Sequence, residues 1–331
     1  MANLNVLQWD GTPGHYEVYY LSATDPATGI GLWIRYTMVA PQHAPATCSL
    51  WFMAMDPAGD VHVGRKVSFP IDQLVAEPDP FRLLVGDSEL SDRGMAGGFE
   101  DIKWELMWNP TDPGRAYEHV HPLLRRARVA KTVLVLPHAD LSIDGTVSFG
   151  GRELTLSGAH GGQAHLWGSK HANRWAWVHC NDFAGDTGAF VDAVSVFVPR
   201  LGREIGPSTP VVGRFLDEDF IATGPLAVVR APSRFALTSW AFEAVAGRRR
   251  IVCEVDAPRP SLVGVTYDDP DGDLAYCYNS EAASMRVSVF DKAWHGRFPW
   301  LLRETLEAPG RAHFEYGQRD PVPGLDLLVT P

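Results

Sequence analysis

No run of eighteen apolar residues occurs anywhere in the 331-residue chain, so no segment reads as a membrane-spanning helix. A basic excess is also missing. The 40 acidic residues outnumber the 29 basic ones and leave a net charge of −11, which argues against a broad nucleic-acid surface. The short basic runs, Arg125-Arg126 with Arg128 and Arg248 to Arg250, read as solvated loops or strand starts. Cysteine is scarce: Cys48, Cys180, Cys253 and Cys277 stand alone, without CxxC spacing. A chain of this length needs no disulfide, and a reducing cytoplasm is the simplest compartment to expect. Cys253 and Cys277 fall on neighbouring expected strands, a placement that permits a bridge without requiring one. The opening residues, MANLNVLQWDGTPG, lack a basic patch followed by an apolar stretch, so no secretory leader is expected in this sequence. Helix signals are few. GxSxG, a P-loop, GxGxxG after a strand and HExxH are all missing, so nucleophilic catalysis has no motif behind it. Acid–base chemistry, or catalysis by shape in an apolar cavity, is what remains.

What the sequence does have is alternation. HYEVYYLSAT, LWIRYTMVA, CSLWFMAMD and VHVGRKVSF carry the period-two, aromatic and β-branched pattern of strands. FEDIKWELMW places Ile102, Trp104, Leu106 and Trp108 on one face. Glycine (31 residues) and proline (25) punctuate the chain evenly, which marks many short elements rather than a low-complexity tract. Strands this numerous must hide their edges, which predicts an all-β protein: a closed or nearly closed antiparallel sheet first, then a second, smaller β-barrel or sandwich. The expected division is a first barrel over 1–200, a linker over 201–210 (LGREIGPSTP) and a second barrel over 211–331.

The densest chemistry lies in HLWGSKHANRWAWVHCNDF, residues 165–183. As a strand, Arg174 to Phe183 turns Trp175, Trp177, His179, Asn181 and Phe183 to one side. Ala176, Val178, Cys180 and Asp182 turn to the other. An aromatic face with a few polar tips describes the wall of a small-molecule pocket, against the plainer alternative of a filled core. His179 is the candidate acid or base, with Asn181 beside it. Trp33, Trp104, Trp108 and Trp167 are further candidates for the wall; Tyr19 and Tyr20 could supply wall or hydroxyl donors but read first as packing. Histidines 160, 165, 171 and 179 never take the i, i+2 spacing that sets two ligands on one strand face. His119 and His121 do, beside Glu118, but no third ligand follows, so no metal is expected. DDPDGD (268–273) lacks the glycine and glutamate positions of an EF-hand and reads as a polar hairpin turn.

Gly31-Leu32-Trp33 is similar to the GxW signature of lipocalins and related calycins. The block HLWG…RWAWVHCNDF resembles the W-G…W-x-W block of the lipocalin-like two-domain family of carotenoid 1,2-hydratase (hydroxyneurosporene synthase), tocopherol cyclase-like and AttH-like proteins. Lipocalin-like Diels–Alderases share that architecture. Trp167, Gly168, Trp175, Trp177, His179 and Asn181 carry the match. The resemblance implies two calycin-type barrels, a hydrophobic isoprenoid, polyene or polyketide-like ligand, and hydration, cyclisation or isomerisation without a cofactor. A non-catalytic lipid or isoprenoid carrier of the same fold is the alternative. Nothing in the sequence sets the substrate or the oligomeric state.

Overall fold

The computed structural model describes residues 3–57, 62–110, 115–121, 125, 131–185, 188–200, 203–293 and 299–330. The first half folds into β1 (His15–Thr24), β2 (Gly31–Ala40), β3 (Thr47–Met55), β4 (His62–Pro70), β5 (Leu74–Pro78), β6 (Phe81–Val85), β7 (Ser88–Ser91), β8 (Gly94–Phe99), β9 (Ile102–Pro110), β10 (Tyr117–Glu118), β11 (Thr132–Phe149) and β12 (Arg152–Gly168). These form one twelve-stranded antiparallel sheet in the order β4-β3-β2-β1-β12-β11-β9-β8-β7-β6-β5, with β10 added on β11. The sheet curls into a nearly closed barrel. Its two edges, β4 and β5, are joined by a single 3-10 turn at Ile71–Gln73, and the interior fills with Tyr36, Phe52, Leu83, Trp104, Ile143 and their neighbours.

The second half supplies β13 (Arg174–Cys180), β14 (Phe190–Arg200), β15 (Arg203–Ser208), β16 (Val211–Phe215), β17 (Glu218–Ala222), β18 (Ser233–Ala236), β19 (Ser239–Ala246), β20 (Arg249–Asp256), β21 (Val263–Asp268), β22 (Leu274–Lys292), β23 (Trp300–Gln318) and β24 (Leu327–Val329). Their order is β17-β16-β14-β13-β23-β22-β20-β19-β18, with β15 on β14 and β21 bridging β22 to β24. Residues 203–208, inside the stretch read as a linker, are β15 and pair with β14.

The expected pair of barrels is therefore corrected: there is one. The second sheet ends at β17 and β18, which share no ladder; the short helix Pro225–Arg230 runs between them in the chain. Nor is the N-terminal sheet larger, since each has twelve strands. Alternation reports that one face of a strand is buried. It carries no information on whether the edges meet, and that is why the sequence misled. All four cysteines are buried and free, including Cys253 and Cys277.

The N-terminal segment closes one end of the barrel by hydrogen bonding. Backbone N–H groups of Gln8 and Trp9, the Tyr19 hydroxyl and the His15 and His165 rings all donate to the buried Glu17 carboxylate. Burial alone would raise the Glu17 carboxyl, but these donors outweigh it and bring it down to about 2.

Besides the two sheet cores, two apolar clusters lie between the sheets. One gathers Trp33, Trp51, Met53, Met55, Trp175 and Val265; the other gathers Leu134, Leu136, Ala164, Trp177, Phe190 and Val212.

Candidate functional site

Strand β13 lies at the centre of the second sheet, between β14 and β23. Its small face, Ala176, Val178 and Cys180, packs into that sheet's own core. Trp175, Trp177 and His179 face the first sheet instead. The stripe is thus the wall of the seam between the two sheets, not the lining of a barrel. Asn181 follows the last residue of β13, and its side-chain amide crosses the seam to donate to Asp140 Oδ1 and the Gly161 carbonyl, both at 2.8 Å. The remaining candidates divide. Trp33 meets Trp175 in the seam cluster. Phe183, beyond the end of the strand, turns into the core of the second sheet. Trp104 and Trp108 sit in the core of the first barrel, donating to the Tyr36 hydroxyl and the Asp92 carbonyl. Trp167 is half-buried beside His165, with ring centroids 4.7 Å apart, on the barrel-side face of β12.

Strand register assembles a row around His179 that no local pattern contains. His179 stands opposite Asp192 of β14 and opposite His313 of β23, and His313 reaches Glu281 of β22. The four side chains run acid, imidazole, imidazole, acid across four adjacent strands, each no more than 2% exposed. Asp192 accepts from His179 Nδ1 at 3.1 Å, from His119 Nε2 at 2.9 Å and from Trp177 Nε1 at 3.2 Å. His313 Nδ1 and Glu281 Oε2 are 2.5 Å apart. The two central imidazoles lie 6.3 Å apart between centroids.

The two acids are pushed in opposite directions. Burial would raise Asp192, but the hydrogen bonds from His119 and His179 outweigh it and hold the carboxyl below its ordinary value. Burial dominates at Glu281 and raises its carboxyl, with the His313 hydrogen bond working against that rise. Acids within one row whose environments push them apart in this way are the usual basis for assigning acid and base roles. An ionised Asp192 can only accept, so Nδ1 of His179 carries a proton and donates it. Nε2 of His179 is then the working nitrogen. It is buried and has no hydrogen-bond partner among the described residues.

The opposing wall comes from β1, β2 and β12. The Tyr20 ring meets Trp177 edge-on at 5.5 Å. Gly162 faces His179, and a Cβ at that position would lie 2.6 Å from Nε2. Gly31 is pressed as closely against Glu281, where a Cβ would meet the backbone oxygen at 2.2 Å. Only glycine at these positions lets the sheets approach this far. Tyr20, Leu166, Val194, Val196 and Glu315 keep partial exposure among fully buried neighbours, so the seam opens to solvent along this line. A hollow of about 50 Å³ lies elsewhere, beside Ile30, Ala54, Val63, Phe149 and Arg152, and is too small for a polyene or prenyl chain.

At the other end of the seam Arg35 is 5% exposed. Its guanidinium lies 4.3 Å from the Tyr267 ring centroid, 5.2 Å from Trp33 and 5.4 Å from Trp51. Each such contact is worth about 0.5–2 kcal/mol. Burying an ion costs several kcal/mol, and aromatic faces leave its N–H donors unsatisfied. Lys66 sits over the other aromatic contact of this corner, 4.5 Å from Trp51. The 268–273 segment forms the turn between β21 and β22, and its Pro270 carbonyl accepts from the Gln42 backbone N–H, between β2 and β3, at 2.8 Å. Asp269 accepts from the His171 backbone and ring and from Arg319, while Lys170 contacts Asp271 and Asp273.

A family profile described as tocopherol cyclase-like matches residues 132–317, which includes the last two strands of the first sheet and the whole Asp192–His179–His313–Glu281 row. The chain belongs to the tocopherol cyclase-like family. An uncharacterized protein of Mycobacterium tuberculosis, Rv0493c, is 30% identical over 299 residues, covering 87% of this chain and 85% of that protein. Among solved structures, CghA superposes with a TM-score of 0.58 at 11% identity, covering 92% of this chain and 88% of that one. A candidate AttH protein of Nitrosomonas europaea gives 0.55 at 15% identity, covering 95% and 98%. Kievitone hydratase from Nectria haematococca gives 0.55 at 9%, covering 97% and 93%. At these identities the structures establish a shared fold.

Within this tocopherol cyclase-like chain, sequence reasoning singled out His179, Asn181, Trp175, Trp177 and Trp33 among the residues that the seam brings together, but not Asp192, His313, Glu281 and Arg35. It read Tyr20 first as packing and weighed His119 only as a metal ligand. A signal was present. Each of the four missed residues is a charged or polar group inside an otherwise apolar or small-residue strand: FVDAVSV, RAHFEYG, YNSEAAS and LWIRYTM. Such residues are rarely buried without a partner or a purpose.

Proposed function

We propose that the protein is an enzyme that binds a hydrophobic small molecule in the seam between its sheets and adds water to, or cyclises, a carbon–carbon double bond without a redox cofactor. The observation that carries this reading is His179: a buried imidazole oriented by an ionised acid, its unpartnered nitrogen facing Gly162 across a seam that Trp177 and Tyr20 line. In the forward step the Nε2–H bond of a protonated His179 breaks as the alkene π pair takes the proton. The resulting cation lies against the faces of Trp177 and Tyr20, each contributing about 0.5–2 kcal/mol. In hydration a water oxygen then bonds to the cation and its surplus proton passes to a carboxylate–imidazole pair of the row. In cyclisation a second double bond or an oxygen of the ligand bonds to the cation instead, and the proton then lost from the new cationic centre or its neighbouring carbon passes to the same pair. The walls also hold a flexible chain folded, which lowers the entropic part of the barrier. The family supports this reading, as does the fold shared with a protein named as a hydratase and with CghA, which has been solved with the small molecule Sch210972.

The test is isotopic. Wild-type protein and His179→Gln are incubated with prenyl and polyene alkenes in deuterated, 18O-labelled water, and label uptake is read by mass spectrometry. Binding is followed in parallel by tryptophan quenching. Wild type is expected to place deuterium, with or without 18O, in one compound class, and His179→Gln to slow this by about 10²–10⁴-fold with binding retained. Binding by wild type without any label uptake would make the protein a carrier instead.

A further inference from the structure

The seam has a second polar end, and its chemistry is cationic. Arg35 lies on β2, directly opposite Tyr20 on β1 and Trp51 on β3. No hydrogen bond or carboxylate within 4.0 Å engages it among the described residues, and its Nε is buried without a partner. Arg319, half-buried at the same corner, shows the ordinary arrangement, with a carboxylate oxygen of Asp269 at 2.6 Å. Lys66 adds a second positive charge across Trp51, and the nearest acid to it, Asp268, is 4.0 Å away and more than a third exposed. From Arg35 the wall runs through Tyr20 to Trp177, which stacks beside His179 with centroids 6.3 Å apart.

We infer that Arg35 is an anchor for an anionic group of the ligand, a carboxylate or an acidic enolate, held by the guanidinium with its flat face kept in place by Trp33, Trp51 and Tyr267. A planar, permanently charged donor set matches a carboxylate in a way that a lysine does not. Aromatic rings fix the cation from its faces and leave its edge, where the N–H groups point, for an acceptor. The apolar remainder of the ligand then lies along Tyr20 and Trp177 toward the His179 nitrogen. This assignment rests on the reading of the seam as a ligand site and narrows it: the substrate is an amphiphilic acid, not a neutral hydrocarbon.

The probes are cis-parinaric acid and its methyl ester, an anion and a neutral compound with the same polyene, titrated against the whole protein by energy transfer from tryptophan. Wild type is expected to bind the acid at least tenfold more tightly than the ester. Arg35→Met should abolish that preference while leaving ester affinity unchanged, and Arg35→Lys should restore part of it. Arg35→Met should also unfold at the same temperature or a higher one without ligand, because an uncompensated charge has been removed. Equal binding of acid and ester by wild type would overturn the anchor while leaving the seam as a ligand site. Failure of both probes to bind would overturn the seam reading and the anchor with it. A marked loss of thermal stability in Arg35→Met would overturn the anchor by making Arg35 a structural residue.

Discussion

At the scale of single residues, two acids of similar intrinsic strength behave differently because their surroundings differ. Asp192 has three donors, His119, His179 and Trp177, and stays ionised. Glu281 is just as buried but has one imidazole, and burial lifts it above its ordinary value of 4.5. The sign of the resulting pH dependence follows from linkage. A carboxyl raised by folding supports stability fully below its unfolded value, and that support is lost as pH rises through the folded value. Glu281→Gln, which removes the ionisation, is therefore expected to gain stability relative to wild type as pH rises above the ordinary glutamate value of 4.5. Urea unfolding across that range is the measurement. A difference that stays constant with pH would show that Glu281 does not titrate there. Asp192 works in the opposite sense: its contribution is complete above the ordinary carboxylate range and fails only as pH falls below it.

At the scale of elements, what the sequence revealed depended on whether the information was local. The alternation of RWAWVHC is contained in seven residues, and it correctly separated Trp175, Trp177 and His179 from Ala176, Val178 and Cys180. Which of the two faces met its own sheet's core was not local. The structure gave that place to the small residues, because β13 is sandwiched between a filled core and a second sheet that needs aromatic bulk to close on it. The acid–imidazole row was illegible for a related reason. Asp192, His313 and Glu281 come together through the register of β13, β14, β22 and β23, and register is set by pairing between strands far apart in the chain. Trp104 and Trp108 share the alternation of the seam residues and yet fill the barrel, since period two does not say what the buried face is buried against. The same close contact that builds the site yields a prediction. Gly162→Ala places a Cβ 2.6 Å from His179 Nε2, so the ring must move or the sheets must part. A cost of about 1–3 kcal/mol in stability is expected from overpacking, with turnover falling more steeply than ligand affinity. Unchanged turnover would show that the position of Nε2 against β12 is unimportant.

At the scale of the whole molecule, the family and the all-β class were legible, and the closure of the sheets was not. The chain builds one nearly closed barrel with a packed interior and a second sheet that stays open at β17 and β18. Neither resembles an empty container. The unpartnered Arg35 Nε and His179 Nε2 and the closely packed Gly31 and Gly162 fall instead between the sheets, where the Gln42 backbone N–H also donates across to the Pro270 carbonyl. Placing the ligand in that seam is the central claim, and a crystal structure of the protein with cis-parinaric acid tests it most directly. The predicted result is the polyene lying along Tyr20 and Trp177, with one end near His179 and its carboxylate on Arg35. A polyene lodged inside the first barrel, or at the hollow beside Phe149 and Arg152, would contradict it.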